Sequence, residues 1–413
     1  MKGLLLFVLA ITASIQYAQD VKSHNLNLKI NVKEKSIAVD DNMVVDFQGE
    51  DSVNFVLWKN SAIGEISMSG ESLRFNFDTL SAPPIMYIPN GRRLTVFKSS
   101  SSNNDSLLRI SYKSDMKNLS GWANSFSDEW IELNFYCAWY PVGTNDWGFT
   151  SNIKVNVDSN FYVSGSGKVS GMNDEWQVIQ PWESFDNVVI VSNNLKSKIL
   201  NENNFYIETD YSLLPPDDAD SVLAECKFVL NLFENCFGKK DSSYLKFAFA
   251  PFEGGGYSRK NFVCLRTTKF NFHTRSGIAH ETAHFWWTGA NTSTWEDWLN
   301  EAFAEYSMLM YVRERLGNDE FMKKIEEYRN NTKSLPPVWG IGRFEQDAYS
   351  VLYEKGSVIL YDLEAKVGKE AFIDFMKEVA VSKIHTTENL LNLVEKFFST
   401  ETKLWLENKL KTA

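Results

Sequence analysis

The first half of the chain alternates apolar and polar residues with a period of two. In the clearest segment, Leu26, Leu28, Ile30 and Val32 are separated by polar residues. Similar short runs follow at 43–47, 107–112, 131–135, 149–157 and 188–191, divided by turns rich in Asn, Asp, Ser and Gly. This period is typical of strands with one buried face. We therefore predict an antiparallel β-sandwich domain over residues 19–203.

The second half has mainly helical patterns. Residues 222–237 form an amphipathic segment, and strand-like runs at 244–250 and 261–267 flank a turn of three glycines at 254–256. Thr294, with Asp297 three residues later, is typical of a helix start, and Gly317 of a helix end. These patterns predict a second domain, mainly helical α+β, over residues 204–413, and hence a two-domain chain.

The segment His280-Glu281-Thr282-Ala283-His284 has the ligand spacing of a zinc site. Two histidines four residues apart project from one face of a helix, so both imidazoles can reach one metal ion. Glu301 follows after sixteen intervening residues and completes a set of two histidines and one glutamate, which leaves a fourth position for water. We predict one zinc ion per chain held by His280, His284 and Glu301, with Glu281 as the catalytic base.

The same segment can also be read as an ordinary helix with two solvent-facing histidines. The apolar residues Phe285, Trp286 and Trp287 directly after the motif argue against that interpretation. Glu305, one helical turn after Glu301, either orients a ligand histidine or lies on the surface.

The surroundings of the motif resemble a known family. The run from Trp286 to Gly289 and the segment Trp298-Leu299-Asn300-Glu301-Ala302 are similar to the zinc aminopeptidases of the aminopeptidase N and leukotriene hydrolase type, which are gluzincins. Residues 138–141 and 164–167 look like elements of that family's first domain. The resemblance implies a thermolysin-like catalytic domain and the family's first two domains only. The Tyr353-Glu354-Lys355-Gly356 element resembles the family's Y-x-K-G motif, which implies that Tyr353 assists the transition state.

The chain departs from the family in a way that concerns specificity. The family carries a G-x-M-E-N motif whose Glu holds the free amino terminus of the substrate, and Ser258 stands at the matching position here. Glu253 lies five residues upstream and supplies the anchor only if the glycine turn folds it back. We therefore expect peptide hydrolysis without strong selection for an amino terminus, as an endopeptidase or an atypical exopeptidase. The connection from His284 to Glu301 is also slightly shorter than in the family.

Other interpretations remain open at this point. A catalytically weak zinc-containing binding or scaffold protein would explain the missing anchor, and hydrolysis of a non-peptide bond is a further alternative. The glycines at 254–256 form either a flexible hairpin or an exposed edge that pairs with an extended substrate. The chain ends soon after residues 404–410, so we expect a more open cleft than in the larger family members.

Composition and the amino terminus indicate the setting of the protein. A net charge of −11 with interspersed charges disfavours nucleic-acid binding. The partner that the zinc motif leads us to expect is a peptide or protein substrate. Lys2 and the short apolar run at 3–11 are typical of a secretory signal peptide, which we place at residues 1–18, with cleavage after Ser14 as the alternative. No other apolar run is long enough to span a membrane, which needs about 20 residues. We therefore expect an exported protein, periplasmic or extracellular.

The four cysteines need not form disulfides. Cys226 and Cys236 lie on one predicted helix, roughly 15 Å apart at the rise of an α-helix, so they cannot pair with each other. Buried free thiols are favoured over a bridge from Cys137 or Cys264 to one of them.

Overall fold

A computed structural model of the protein describes residues 20–98, 105–119, 121–144, 148–202, 205–240 and 244–412. The predicted signal peptide at 1–18 lies outside the described residues. The first part of the chain is rich in strands and the second part is mainly helical, in the predicted order.

The strands of the first part confirm the period-two prediction. In chain order they are β1 Asp20–Asn31, β2 Ser36–Asp46, β3 Ser52–Trp58, β4 Ser61–Met68, β5 Glu71–Ser72, β6 Phe75–Asp78, β7 Gly91–Phe97, β8 Asp105–Asp115, β9 Ser125–Phe126, β10 Ile131–Leu133, β11 Val142–Gly143, β12 Phe149–Asn156, β13 Tyr162–Gly165, β14 Lys168–Met172, β15 Glu175–Ser184 and β16 Val189–Ser192. In β2, every second side chain is buried.

These strands form three sheets. The order in the largest is β14-β15-β12-β1-β2-β8-β4-β5, and two smaller sheets have the orders β13-β16-β10-β9 and β11-β3-β7-β6. The prediction of a purely antiparallel arrangement is wrong at one place, because β1 and β12 pair in parallel, with Leu26 beside Ile153. Alternation in the sequence is the same for a one-sided parallel or antiparallel strand, so it does not reveal strand direction.

One hydrophobic core serves all three sheets. Its buried residues include Leu28 of the largest sheet, Val191 of the second and Phe55 of the third. Burial of these alternating side chains is the main term that stabilises the first part of the chain.

A mixed five-stranded sheet begins the second part. Its strands are β17 Lys196–Glu202, β18 Phe205–Tyr211, β19 Tyr244–Ala250, β20 Gly256–Arg259 and β21 Phe262–Arg266, in the order β17-β18-β19-β21-β20. Strand β20 is therefore at the edge. The predicted division between residues 203 and 204 falls inside the β17–β18 hairpin, so this sheet starts upstream of it, at Lys196.

Helices make up the rest of the second part. They are α1 Pro216–Phe237, α2 Phe272–Ala283, α3 Trp298–Leu316, α4 Asn318–Thr332, α5 Gly356–Val367, α6 Lys369–Ser382, α7 Thr387–Phe397 and α8 Thr400–Lys411. A 3-10 turn at Trp295–Asp297 precedes α3, and its cap Thr294 is the residue predicted to start that helix. A π-helical segment, Ser350–Lys355, leads into α5. None of the described helices has the length and apolar character needed to cross a bilayer.

The two parts share a small interface core. Trp130 and Ile190 of the first part pack with Tyr257, Phe262 and Cys264 of the five-stranded sheet. All four cysteines are free, as favoured from the sequence, and Cys236 is the one that is partly exposed. One face of the five-stranded sheet thus rests on the first part, while the other carries the helices of the candidate site.

Candidate metal centre and active site

Helix α2 positions both predicted histidine ligands. It begins at its cap Asn271, whose side chain accepts a hydrogen bond from the Thr274 amide at 3.0 Å. Gly277 lets the helix approach the sheet closely, since a Cβ there would lie 3.0 Å from a methyl group of Leu265. His280 lies in the last turn. His284 directly follows the helix but keeps helical angles, φ −61° and ψ −11°, so the four-residue spacing is preserved.

Glu301, in the first turn of α3, faces the two histidines. The distances from Glu301 Oε2 to the Nε2 atoms of His280 and His284 are 3.4 and 3.3 Å. Three ligands bound tetrahedrally to one zinc ion at 2.0–2.1 Å would be about 3.3 Å apart, by geometry. Among the described residues, these three form the one group of His, Cys, Asp or Glu side chains close enough to hold a metal ion.

The other ring nitrogens are held by neighbouring oxygen atoms. His280 Nδ1 lies 2.7 Å from Glu305 Oε2, and His284 Nδ1 lies 3.1 Å from the backbone oxygen of Trp287. Both acceptors require a proton on Nδ1, which leaves the Nε2 lone pairs free for a metal ion. Glu305 is buried, so its orienting role fits the structure and a surface role does not.

The donor set has an unsatisfied atom where a cation would bind. Glu301 Oε2 is buried and has no hydrogen-bond partner among the described residues. A buried carboxylate oxygen without a donor is costly, and a metal ion would satisfy it. The residues present therefore fit a zinc ion.

Glu281 lies beside the edge strand β20. A Cβ at Gly256 would come within 3.0 Å of Glu281 Cγ and 2.5 Å of a Leu265 methyl group, so only glycine permits this approach. The carboxyl group is buried, and burial raises its pKa, with the two imidazoles acting in the opposite direction. Glu281 is therefore enclosed next to the ligands, where a general base is needed.

Tyr353 packs over His280, one of the two candidate histidine ligands. Its ring stacks on that of His280 with a centroid distance of 5.8 Å and an angle of 5°, and it also stacks on Tyr349. Burial raises the pKa of Tyr353, and the charge of Glu301 adds to the effect. The hydroxyl therefore stays protonated and able to donate a hydrogen bond.

The residues after Tyr353 fix its position. Lys355 Nζ donates to the backbone oxygens of Leu335 and Pro336 at 2.8 and 2.9 Å. Gly356 lets α5 contact α3, because a Cβ there would be 2.6 Å from that of Ala302. Lys355 and Gly356 thus bring Tyr353 close to α3, the helix that carries Glu301.

Sequence reasoning missed an ion pair that borders the site. Arg343 Nε lies 2.5 Å from Asp297 Oδ2, and Arg343 Nη2 donates to the Tyr353 hydroxyl at 3.4 Å. Asp297 also accepts a hydrogen bond from the side chain of Asn300. Asn300 makes two further hydrogen bonds with the backbone of Ala290, in the loop between α2 and α3. Arg343 lies in a loop without regular pattern, so the sequence held no signal for it.

Two carboxylates near β20 other than Glu281 are already engaged. Ser258 lies on the same face of the strand as Gly256. Glu253 is exposed and points toward Lys269, 3.8 Å away, so it is not folded back into the site. On the opposite face, Glu132 is fully buried and accepts from Tyr257 and Trp130 at 2.9 and 3.2 Å.

Comparison with known proteins gives partial sequence matches. No protein-family model matches the chain. It is 30% identical over 156 residues to an aminopeptidase N of Streptomyces lividans and 33% identical over 146 residues to a leucine aminopeptidase 2-1 of Meyerozyma guilliermondii. These matches cover 33% and 31% of this chain but only 18% and 24% of the relatives.

Solved structures match over nearly the whole chain. An M1 zinc metallopeptidase from Deinococcus radiodurans superposes with a TM-score of 0.73 at 17% identity, over 96% of this chain and 95% of that one. The chain has the fold of the M1 zinc metallopeptidases. Leukotriene A4 hydrolase from Saccharomyces cerevisiae also superposes, with a TM-score of 0.72 at 18% identity, over 96% of this chain and 68% of that chain. The resemblance inferred from the motifs is thereby confirmed.

Proposed function

We propose that this protein is a zinc-dependent metallopeptidase that hydrolyses peptide bonds, with one zinc ion per chain. The observation that carries the proposal is the distance of 3.3–3.4 Å from Glu301 Oε2 to the Nε2 atoms of His280 and His284. In addition, the Nδ1 atom of each histidine has an oxygen atom as its hydrogen-bond partner. Three protein ligands with a remaining open position are the composition of a catalytic zinc site rather than a structural one.

Each side chain of the site has its own role in the proposed hydrolysis. Zinc supplies Lewis acidity, which makes water more acidic and a carbonyl group more electrophilic. Glu281 accepts the proton of the attacking water as the C–O bond forms, and then passes that proton to the leaving amine as the C–N bond breaks. Tyr353 donates a hydrogen bond to the carbonyl oxygen as negative charge develops on it. Glu305 and the Trp287 carbonyl keep the ligand rings in orientation.

The edge strand is the proposed binding surface for the substrate backbone. Strand β20 pairs with β21 on one side only, and Gly256 brings it next to Glu281. An extended peptide can add to such an edge through main-chain hydrogen bonds, which bind without regard to side chains. We therefore favour the exposed-edge interpretation of the glycine turn over a flexible hairpin.

The same surroundings support weak selection for a free amino terminus. An ammonium group buried at the site needs a carboxylate partner. Ser258 has no carboxylate, and the carboxylate of Glu253 is paired with Lys269. The carboxylate of Glu132 is buried and already accepts a hydrogen bond from Tyr257. We propose that internal peptide bonds are cut as well as terminal ones.

We also propose that the protein is exported, to the periplasm or the outside of the cell. The support is the charged and apolar pattern at residues 1–18. Expression of the full sequence with a carboxyl-terminal tag, followed by amino-terminal sequencing of the exported fraction, tests it. Retention of the intact amino terminus in the cytoplasm would contradict export.

The experiment that tests the enzymatic proposal separates catalysis from metal binding. Zinc-loaded protein is incubated with a diverse peptide mixture, and cut sites are mapped by mass spectrometry. Glu281→Gln keeps the shape of the side chain but removes the base, so it should retain zinc and lose nearly all hydrolysis.

The matched control is Glu320→Gln, at an exposed position on α4, which should behave as the wild type. If zinc-loaded wild type cleaves no peptide in the mixture, the protein is a zinc-containing binding or scaffold protein instead.

A further inference from the structure

A partly open cleft, whose enclosed space is about 50 Å³, lies beside Trp122 on the side of β20 that faces the first part of the chain. Its lining includes Trp58, Tyr87, Leu119, Trp122, Asn124 and Tyr136. We call it the aromatic cleft. Trp58 is fully buried at its base, and its ring nitrogen donates to the backbone of Asp115 at 2.8 Å. Trp122, by contrast, is 52% exposed, so one wall is open to a ligand.

Ring contacts connect the aromatic cleft to the candidate active site. The Trp122 ring packs on Tyr136 and Tyr257, with centroid distances of 4.9 and 6.2 Å. Tyr257 is the neighbour of Gly256 on β20, and Gly256 borders Glu281. Trp122, in the wall of the cleft, therefore contacts the residue of β20 next to the one that borders the proposed general base Glu281.

Tyr87 closes the cleft toward the catalytic helices. Its hydroxyl donates to the backbone oxygen of Thr292, in the connection between α2 and α3. Its ring packs on Phe344 at 5.4 Å. Burial raises the pKa of Tyr87 to about 12, so the hydroxyl remains a donor.

Strand geometry indicates which substrate side chains reach the cleft. Gly256 and Ser258 face the zinc-site helix, whereas Tyr257 and Arg259 face the first part of the chain, because successive residues of a strand point to opposite faces. A peptide paired with β20 has the same alternation. Every second substrate side chain is therefore directed to the side where Trp122 and Tyr136 lie.

Asn124 adds a polar requirement to this apolar lining. It is only 6% exposed, and its Oδ1 atom has no hydrogen-bond partner among the described residues. An unpaired buried acceptor is costly, and a ligand that brings a donor removes the cost. Tyrosine and tryptophan side chains combine an aromatic body with one donor.

We propose that the aromatic cleft is a substrate subsite that receives a tyrosine or tryptophan side chain of the peptide, with Asn124 as hydrogen-bond acceptor. This inference rests on the proposed peptidase function. It makes Trp122 and Asn124 specificity-determining residues of that reaction.

The test compares peptides that differ at one position. In wild type, kcat/KM should be highest for Tyr or Trp at one position beside the cut, lower for Phe and lowest for Ala. Trp122→Ala should reduce kcat/KM for the aromatic peptides by about tenfold or more and leave the Ala peptide within about twofold. Tyr162→Ala, an aromatic residue of similar exposure at 51% on β13, is the matched control and should change neither.

Asn124→Ala tests the polar requirement separately. It should bring the kcat/KM values of the Tyr and Phe peptides close together while both remain above that of Ala. Thermal melting of each variant checks folding. Unchanged side-chain preference in both folded variants would overturn the inference.

A binding measurement keeps this result apart from failure of the peptidase proposal. N-acetyl-tyrosinamide is titrated by calorimetry into the Glu281→Gln protein with and without Trp122→Ala. Binding that is lost with Trp122→Ala supports the subsite even if no peptide is cleaved. Cleavage of peptides without binding of this probe or aromatic preference would leave the peptidase proposal standing and exclude the subsite.

Discussion

Glu305 lies 2.7 Å from His280 Nδ1, and its second oxygen accepts a hydrogen bond from Tyr328. The carboxylate thus contacts Tyr328 of α4 and His280 of α2, which is a proposed zinc ligand. Such contacts keep the metal-binding nitrogen in position and increase its basicity.

We predict that Glu305→Gln lowers zinc affinity by about 10- to 100-fold. The amide cannot accept from both His280 and Tyr328 with the strength of a carboxylate. Competition with a fluorescent chelator measures the affinity. Glu326→Gln on the exposed side of α4 serves as control, and equal affinity in the two variants would remove Glu305 from the site.

The two histidines on α2 offer a direct test of the ligand assignment. We predict that His284→Ala loses its zinc, because only two protein ligands remain. His273→Ala, on the exposed first turn of the same helix, should keep one zinc per chain. Metal analysis of both proteins gives the answer, and equal zinc content would refute the assignment.

Tyr353→Phe should reduce kcat by about 10²- to 10³-fold, the usual effect of removing one donor to a developing oxyanion. KM and zinc content should change little, since the ring and its stacking on His280 remain. Tyr361→Phe on α5, whose hydroxyl contacts only the Met322 sulfur among the described residues, is a suitable control. A Tyr353→Phe enzyme with unaltered kcat would show that the hydroxyl does not act in the reaction.

Gly356→Ala should destabilise the protein by about 1–3 kcal/mol, the cost of forcing extra atoms into a packed contact. The added methyl group would lie 2.6 Å from the Cβ of Ala302. Gly255→Ala is the control, because its methyl group meets nothing within 4 Å. Urea unfolding of both variants measures the difference, and equal midpoints would contradict the close contact.

Acetylation of a substrate amino terminus should change the cleavage rate only modestly. Apart from the proposed base Glu281, the two carboxylates described near β20 are engaged, Glu253 by Lys269 and Glu132 by Tyr257 and Trp130. Rates for paired acetylated and free peptides test this. A strict need for a free terminus, abolished by Glu253→Gln or by Glu132→Gln, would identify that residue as the anchor.

Local features were readable from the sequence, whereas long-range pairings were not. The strand at Tyr244–Ala250 has the predicted bounds, and His280 and His284 share a helix face because their spacing is a property of one helix. The Arg343–Asp297 pair joins residues 46 positions apart, and the partner sheet of Lys196–Glu202 depends on a neighbouring strand. No local pattern encodes either one.

The distribution of the cysteines has a practical consequence for following how this molecule unfolds. Cys137 belongs to the core of the first part, Cys226 to that of the second, and Cys264 to the interface between them. Burial raises the pKa of each thiol, to about 12 for Cys137, so none should react while its surroundings stay closed. Pulsed alkylation read by mass spectrometry would therefore time the opening of three regions in one unmodified chain.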